Sequence, residues 1–98
     1  MKGLFIRASV DASKRHELIQ MFQVVARNTV PGRRDAEVFE LVGYPAEIMW
    51  IERWDDVGPM EVYMGSDPFR ALLGAVKILG TLQEFRVANF EDPGDLIA

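Results

Sequence analysis

The chain contains no cysteine, which excludes disulfides, thiolate nucleophiles, cysteine-ligated zinc and cysteine-ligated iron–sulfur clusters. It has a single histidine, His16, so no local set of imidazoles exists to hold a transition metal. Neither a metal nor another cofactor is expected. Basic residues never run beyond the pair Arg33–Arg34, and the net charge is −4. Nucleic-acid affinity rests on clustered cations, so no nucleic-acid partner is expected. No apolar stretch approaches the ~20 residues needed to cross a bilayer, and the short apolar run after Lys2 is broken at Arg7, unlike a signal peptide. The expectation is a cytoplasmic protein without a membrane partner. What chemistry remains must use carboxylates, arginines, tyrosines, tryptophans, hydroxyls or a bound ligand.

What is present suits a folded domain: 49% of the 98 residues are hydrophobic and 27% charged. One core is expected over residues 1–98, with the segment 92–98 a loosely held tail. Residues Gly3 to Val10 alternate as a strand does, Leu4, Ile6, Ala8 and Val10 facing one way and Phe5, Arg7 and Ser9 the other. Asp11 and Ser13 suit a helix N-cap, and Leu18, Met21, Phe22, Val25 and Thr29 recur at helical spacing before Pro31–Gly32 ends the helix. Strand formers from Glu37 to Gly43, a turn at Gly43-Tyr-Pro45 and a strand from Glu47 to Trp54 predict a hairpin. Pro59 marks a short helix. Ser66-Asp67-Pro68 then caps another that buries Phe69, Leu72, Leu73, Val76 and Leu79 and stops at Gly80. Thr81 to Phe90 is the last strand, predicted with Leu82, Glu84, Arg86, Ala88 and Phe90 on one face.

The order β-α-β-β-α-β predicts an α+β, ferredoxin-like fold with an antiparallel sheet. Helices can cover only one face of such a sheet, and the other should read polar. Here strand three carries Met49 and Ile51 on one side and Ile48, Trp50 and Trp54 on the other. An uncovered apolar face implies a partner, and an isologous homodimer is the expected one.

The stretch Ile51-Glu-Arg-Trp54-Asp-Asp, followed by Ser66-Asp-Pro-Phe69, resembles the antibiotic biosynthesis monooxygenase family of dimeric α+β barrels. The likeness extends to Ser13-Lys-Arg at the first helix, Pro31-Gly32 before the second strand and the closing Phe85-Arg-Val. The resemblance implies the dimeric barrel, and it implies enzymes of several kinds, among them quinol and anthrone oxygenases, heme degraders and isomerases. Members that oxidise anthrones without a cofactor share Trp54 but carry Asn, Tyr and Arg where this chain has Trp50, Met60 and Gly74. Heme degraders place an axial His where this chain has Leu73, and leucine cannot ligate iron. Many other members have His at the position of Tyr63.

Trp50, Glu52 and Trp54 share one strand face. They read either as a flat aromatic slot for a small phenol or quinone, with Glu52 carrying a proton, or as core with Glu52 paired to an arginine. Arg7 and Arg86 are candidates to hold an anionic oxygen, or else they pair with Glu40, Glu52 or Glu84. Tyr63 is a candidate hydrogen-bond donor or acceptor, Phe69 and Leu73 are candidate walls of the slot, and Met21, Met49, Met60 and Met64 read as adaptable packing. Two functions follow: a small metal-free monooxygenase-like or isomerase-like enzyme for an aromatic metabolite, or a non-catalytic ligand-binding or dimerisation module.

Overall fold

The computed structural model describes residues 1–43 and 46–89. Seven elements follow in order: β1 (Lys2–Val10), α1 (Ala12–Arg27), β2 (Arg33–Leu41), β3 (Glu47–Trp54), α2 (Val57–Met64), α3 (Asp67–Leu79) and β4 (Gly80–Asn89). They form one antiparallel sheet in the order β2-β3-β1-β4, the α+β ferredoxin-like arrangement predicted from the element order. The predicted turn residues Tyr44 and Pro45, together with Phe90 and the tail, lie outside the described residues.

The core forms between the helices and the sheet face built by Leu4, Ile6, Ala8 and Val10 of β1 and Ile48, Trp50, Glu52 and Trp54 of β3. Alternation on β1 and β3 alone places these side chains inward. From above, α1 contributes Leu18 and Phe22, α2 contributes Met60 and Tyr63, and α3 contributes Phe69, Leu72 and Val76. Pro59 sits in the first turn of α2, where a missing N–H breaks no helical bond. The Ser66 hydroxyl accepts from Phe69 N at 3.5 Å and donates to the Tyr63 carbonyl at 2.5 Å, so it both caps α3 and pins the end of α2.

Three sequence expectations are corrected, on α1, β2 and β4. The first helix ends at Arg27, and Thr29 falls in the following loop. The second strand begins at Arg33 rather than Glu37, because Arg33, Asp35 and Ala36 pair with Trp54, Arg53 and Glu52 of β3. β1 and β4 are direct neighbours: Arg7 lies opposite Glu84, and Phe5 opposite Arg86. Finally, β4 does not keep one parity. The ladder slips between Arg7 and Ala8, so Leu82 lies beside Ala8 while Phe85 and Val87 lie beside Ile6 and Leu4 on the same, helix-facing side. A bulge adds one unpaired residue and thereby reverses which side chains point inward.

Among the described residues, no helix is long and apolar enough to cross a membrane.

Candidate functional site

A second irregularity builds the most unusual feature of the core. Alternation on β2 points Ala36 and Val38 inward, opposite Glu52 and Trp50, and would continue to Arg34. The register shift between Arg33 and Asp35 instead sets Arg33 beside Trp54 on the helix-facing side. Arg34 is left to pair with Asp55 at the surface. The bulge thus turns one cation into the core and its neighbour out.

Arg33 meets Glu52 there. The Glu52 side chain is 0% exposed and the Arg33 side chain 3%, and Arg33 Nη1 lies 3.4 Å from Glu52 Oε1. Trp50 Nε1 donates to Glu52 Oε2 at 2.9 Å. The second arm of Arg33 donates to the carbonyls of Val25 at 2.9 Å and Asn28 at 2.7 Å. These oxygens lie at the C-terminal end of α1, where the helix dipole favours a cation. One guanidinium therefore ties α1, β2 and β3 together. Burial raises the Glu52 pKa above the usual carboxylate value, while the Trp50 indole and the Arg33 charge hold it back. The Trp54 indole N–H also favours the Glu52 anion. Among the described residues, however, it makes no hydrogen bond of ordinary geometry and is a buried donor without a partner.

Aromatic rings close around this pair. Phe22 stacks on Trp50 at 4.9 Å, and Trp54, Tyr63, Phe69 and Phe85 follow one another at 5.2, 5.3 and 5.8 Å. Trp50 and Trp54 are wholly enclosed, so the space between helices and sheet that they border is filled by side chains rather than by a slot. The opening lies farther out. A cleft of about 800 Å³ is lined by Asn28, Thr29, Val30 and Pro31 from the loop after α1, and by Pro59, Val62, Tyr63, Ser66 and Pro68 from α2 and α3. Tyr63 belongs both to the cleft and to the buried core. Its pKa is pushed up to about 12 by burial and then by the nearby Glu52 charge, with Arg33 opposing. At neutral pH Tyr63 keeps its proton, lines the cleft, and lies within electrostatic reach of the Arg33–Glu52 pair.

The structure therefore brings together four of the residues singled out from sequence, namely Glu52, Trp50, Trp54 and Tyr63, with Phe69 packed on Tyr63. Leu73 is partly buried against the core and does not line the cleft. Arg7 and Arg86 are placed on the opposite face of the sheet, where Arg7 pairs with Glu47 at 2.5 Å and Arg86 with Glu84 at 3.1 Å. The cation beside Glu52 is Arg33, which sequence reasoning passed over because it reads as half of a charged loop pair. The signal that could have found it is the need of a buried carboxylate for a cationic partner. The cleft walls were missed as well, since loop prolines carry no periodicity. Among the described residues, no group of three or more acidic or histidine side chains is placed to hold a metal ion.

Comparison with known proteins agrees with this architecture. A provisionally designated antibiotic biosynthesis monooxygenase from Deinococcus radiodurans superposes with a TM-score of 0.75 at 21% identity, covering 94% of this chain and 92% of that one. A conserved Bacteroides thetaiotaomicron protein of unknown function, described as a possible oxidoreductase, gives 0.79 at 15% identity, covering 91% and 96%. A Nitrosomonas europaea protein with the same provisional monooxygenase designation gives 0.78 at 10% identity, covering 94% and 91%. At these identities the likeness is one of fold. No curated protein sequence matches the chain. The family model described as antibiotic biosynthesis monooxygenase matches residues 1–74, and the chain belongs to that family.

Proposed function

We propose that the protein is a small oxygenase acting on an aromatic metabolite of the phenol or quinol type, without a metal, at the Tyr63 end of the cleft. The observation that carries this reading is that Tyr63 lines an apolar cleft and that its hydroxyl lies within electrostatic reach of a buried carboxylate whose pKa is raised. Family membership supports the reaction class. A hydroquinone has the required electrons of its own: one hydroquinone and one O₂ give one hydroxyquinone and one water, with the substrate supplying all four electrons. The protein must position the ring, take its phenolic proton and steady the resulting anion. Glu52 takes the proton, and a raised pKa suits a carboxylate to that task. Tyr63 hydrogen-bonds the substrate oxygen, and Arg33 supplies the positive charge behind it. Arg7 and Arg86, on the far side of the sheet, have no part.

The test is oxygen uptake with a panel of phenols and hydroquinones, with ¹⁸O₂ labelling of the product. Turnover that disappears in Glu52→Gln while binding persists supports the reading. A panel that binds in the cleft and never consumes oxygen contradicts it.

The second reading is a ligand-binding module, favoured by the fact that both Glu52 oxygens already have partners. In that case Glu52 and Arg33 only brace the fold, and a bound aromatic leaves unchanged. On either reading the sheet face away from the helices, with Met49, Ile51 and Phe39 exposed or half-buried among the ion pairs Arg7–Glu47 and Arg53–Asp35, packs against a second copy. Apolar centre and charge-balanced rim make it self-complementary. Sedimentation of a folded monomer at micromolar concentration would exclude the dimer.

A further inference from the structure

The cleft is much larger than its polar end. Tyr63 and the Asn28 carbonyl, which accepts from Arg33, connect it to charged groups, while Val30, Pro31, Pro59, Val62 and Pro68 make an apolar wall that runs outward to solvent. Val62 is 77% exposed and adds its apolar side chain to this wall. The wall is also fixed in place. Gly32 has φ +86° and lies so close to α2 that an added Cβ would stand 2.6 Å from Pro59 Cβ, which locks Pro31 beside Pro59. Three prolines further restrict the lining backbone. A preformed groove loses little entropy when it is filled.

At about 800 Å³ the groove is near the upper end of small-molecule sites. A single phenol ring held at Tyr63 would leave most of it empty and its apolar wall wet. We infer that the ligand is amphipathic and elongated: one oxygen-bearing head at Tyr63, and an alkyl body lying along Pro31, Pro59, Val62 and Pro68. The inference deepens the reading of this cleft as the substrate site and rests on it for the identity of the head. The amphipathic shape itself follows from the lining. Arg33, buried behind Tyr63, is already paired with Glu52, so the head is a neutral hydroxyl when it binds, and among the described residues no cation lines the outer groove to favour charge on the body.

A series of 4-n-alkylphenols from methyl to heptyl tests it, with affinities read by intrinsic fluorescence below the aggregation limit of each probe. The expected result is a Kd that falls about threefold to fourfold per added methylene, the factor for removing one CH₂ from water, and that levels off once the groove is filled. Val62→Asp, a surface substitution, should flatten that slope. Ile78→Asp, on an equally exposed part of α3 outside the groove, should leave it intact. Phenols that bind with no dependence on chain length would overturn the amphipathic ligand and leave the aromatic-substrate reading standing. n-Alkanols that reproduce the slope while phenol itself gains nothing from its ring would support the elongated ligand and remove the phenolic head. Absence of binding by both series would overturn the inference.

Discussion

Replacing Arg33 by methionine keeps an unbranched stem, though a shorter one, and removes the guanidinium that bonds Glu52, Val25 and Asn28. Glu52 is then left in the core with the Trp50 indole as its one hydrogen-bond donor, the Asn28 carbonyl loses its Arg33 donor, and the Val25 carbonyl keeps only the Asn28 N–H. Breaking a buried ion pair by removing one partner costs about 3–5 kcal/mol, a large part of the roughly 5–15 kcal/mol that holds a domain together. The cost depends on pH in a definite direction. Glu52 has its folded-state pKa raised above the ordinary value of 4.5, so the folded state binds the proton more tightly than the unfolded chain does. Its contribution is most favourable below the unfolded pKa and is lost as pH rises toward and through the folded one. Without Arg33 two of the influences that restrain the pKa vanish, the folded value rises further, and more stability is lost over a wider pH span. Urea unfolding at pH 8 should therefore find Arg33→Met crippled by about 3–5 kcal/mol. At a pH near 4.5 only the loss of the Arg33 bonds to the two carbonyls remains, and the penalty should shrink to roughly 1–3 kcal/mol. Adding Glu52→Gln to the same variant should remove the pH dependence. Equal destabilisation at the two pH values would refute the claim that Arg33 exists to hold a buried carboxylate.

Three further substitutions test the neighbouring parts. In a Tyr44→Phe background the ultraviolet titration of Tyr63 should lie near 12, and Glu52→Gln should lower it, because the carboxylate charge that opposes the phenolate is gone while Arg33 remains. Gly32→Ala meets both a φ of +86° and a 2.6 Å approach to Pro59, and should cost about 1–3 kcal/mol in thermal unfolding. Ser66→Ala removes a cap and the bond to the Tyr63 carbonyl, and should cost about 0.5–2 kcal/mol by urea unfolding.

Most of the scaffold was legible because it depends on local rules. Two-residue alternation in β1 and β3 placed Leu4, Ile6, Trp50, Glu52 and Trp54 on one face, and the Ser66-Asp67-Pro68 cap located α3. The element order then gave the fold, and the Trp54 and Phe69 motifs gave the family. What was illegible depends on pairing between distant segments. Arg33 looks like loop in sequence. Only the register of β2 against β3, with its bulge, turns it toward Glu52. The same kind of slip in β4 brings Leu82 and Phe85 to one side, which strict alternation forbids. Arg7 and Arg86 were plausible cations for the site until the ladder placed them across the sheet from it. The cleft escaped for a different reason: its walls are Pro31, Pro59 and Pro68, brought together by the close contact at Gly32.

The central claim is that Tyr63 couples the cleft to a buried carboxylate of raised pKa. It is tested most directly by ¹³C NMR titration of the Glu52 carboxyl, identified by its loss in Glu52→Gln, with and without a saturating alkylphenol. The account predicts a titration above 4.5 in the free protein that moves higher when the ligand excludes water from the Tyr63 side. A Glu52 signal that titrates at the ordinary carboxylate value, and does so unchanged by the ligand, would contradict it.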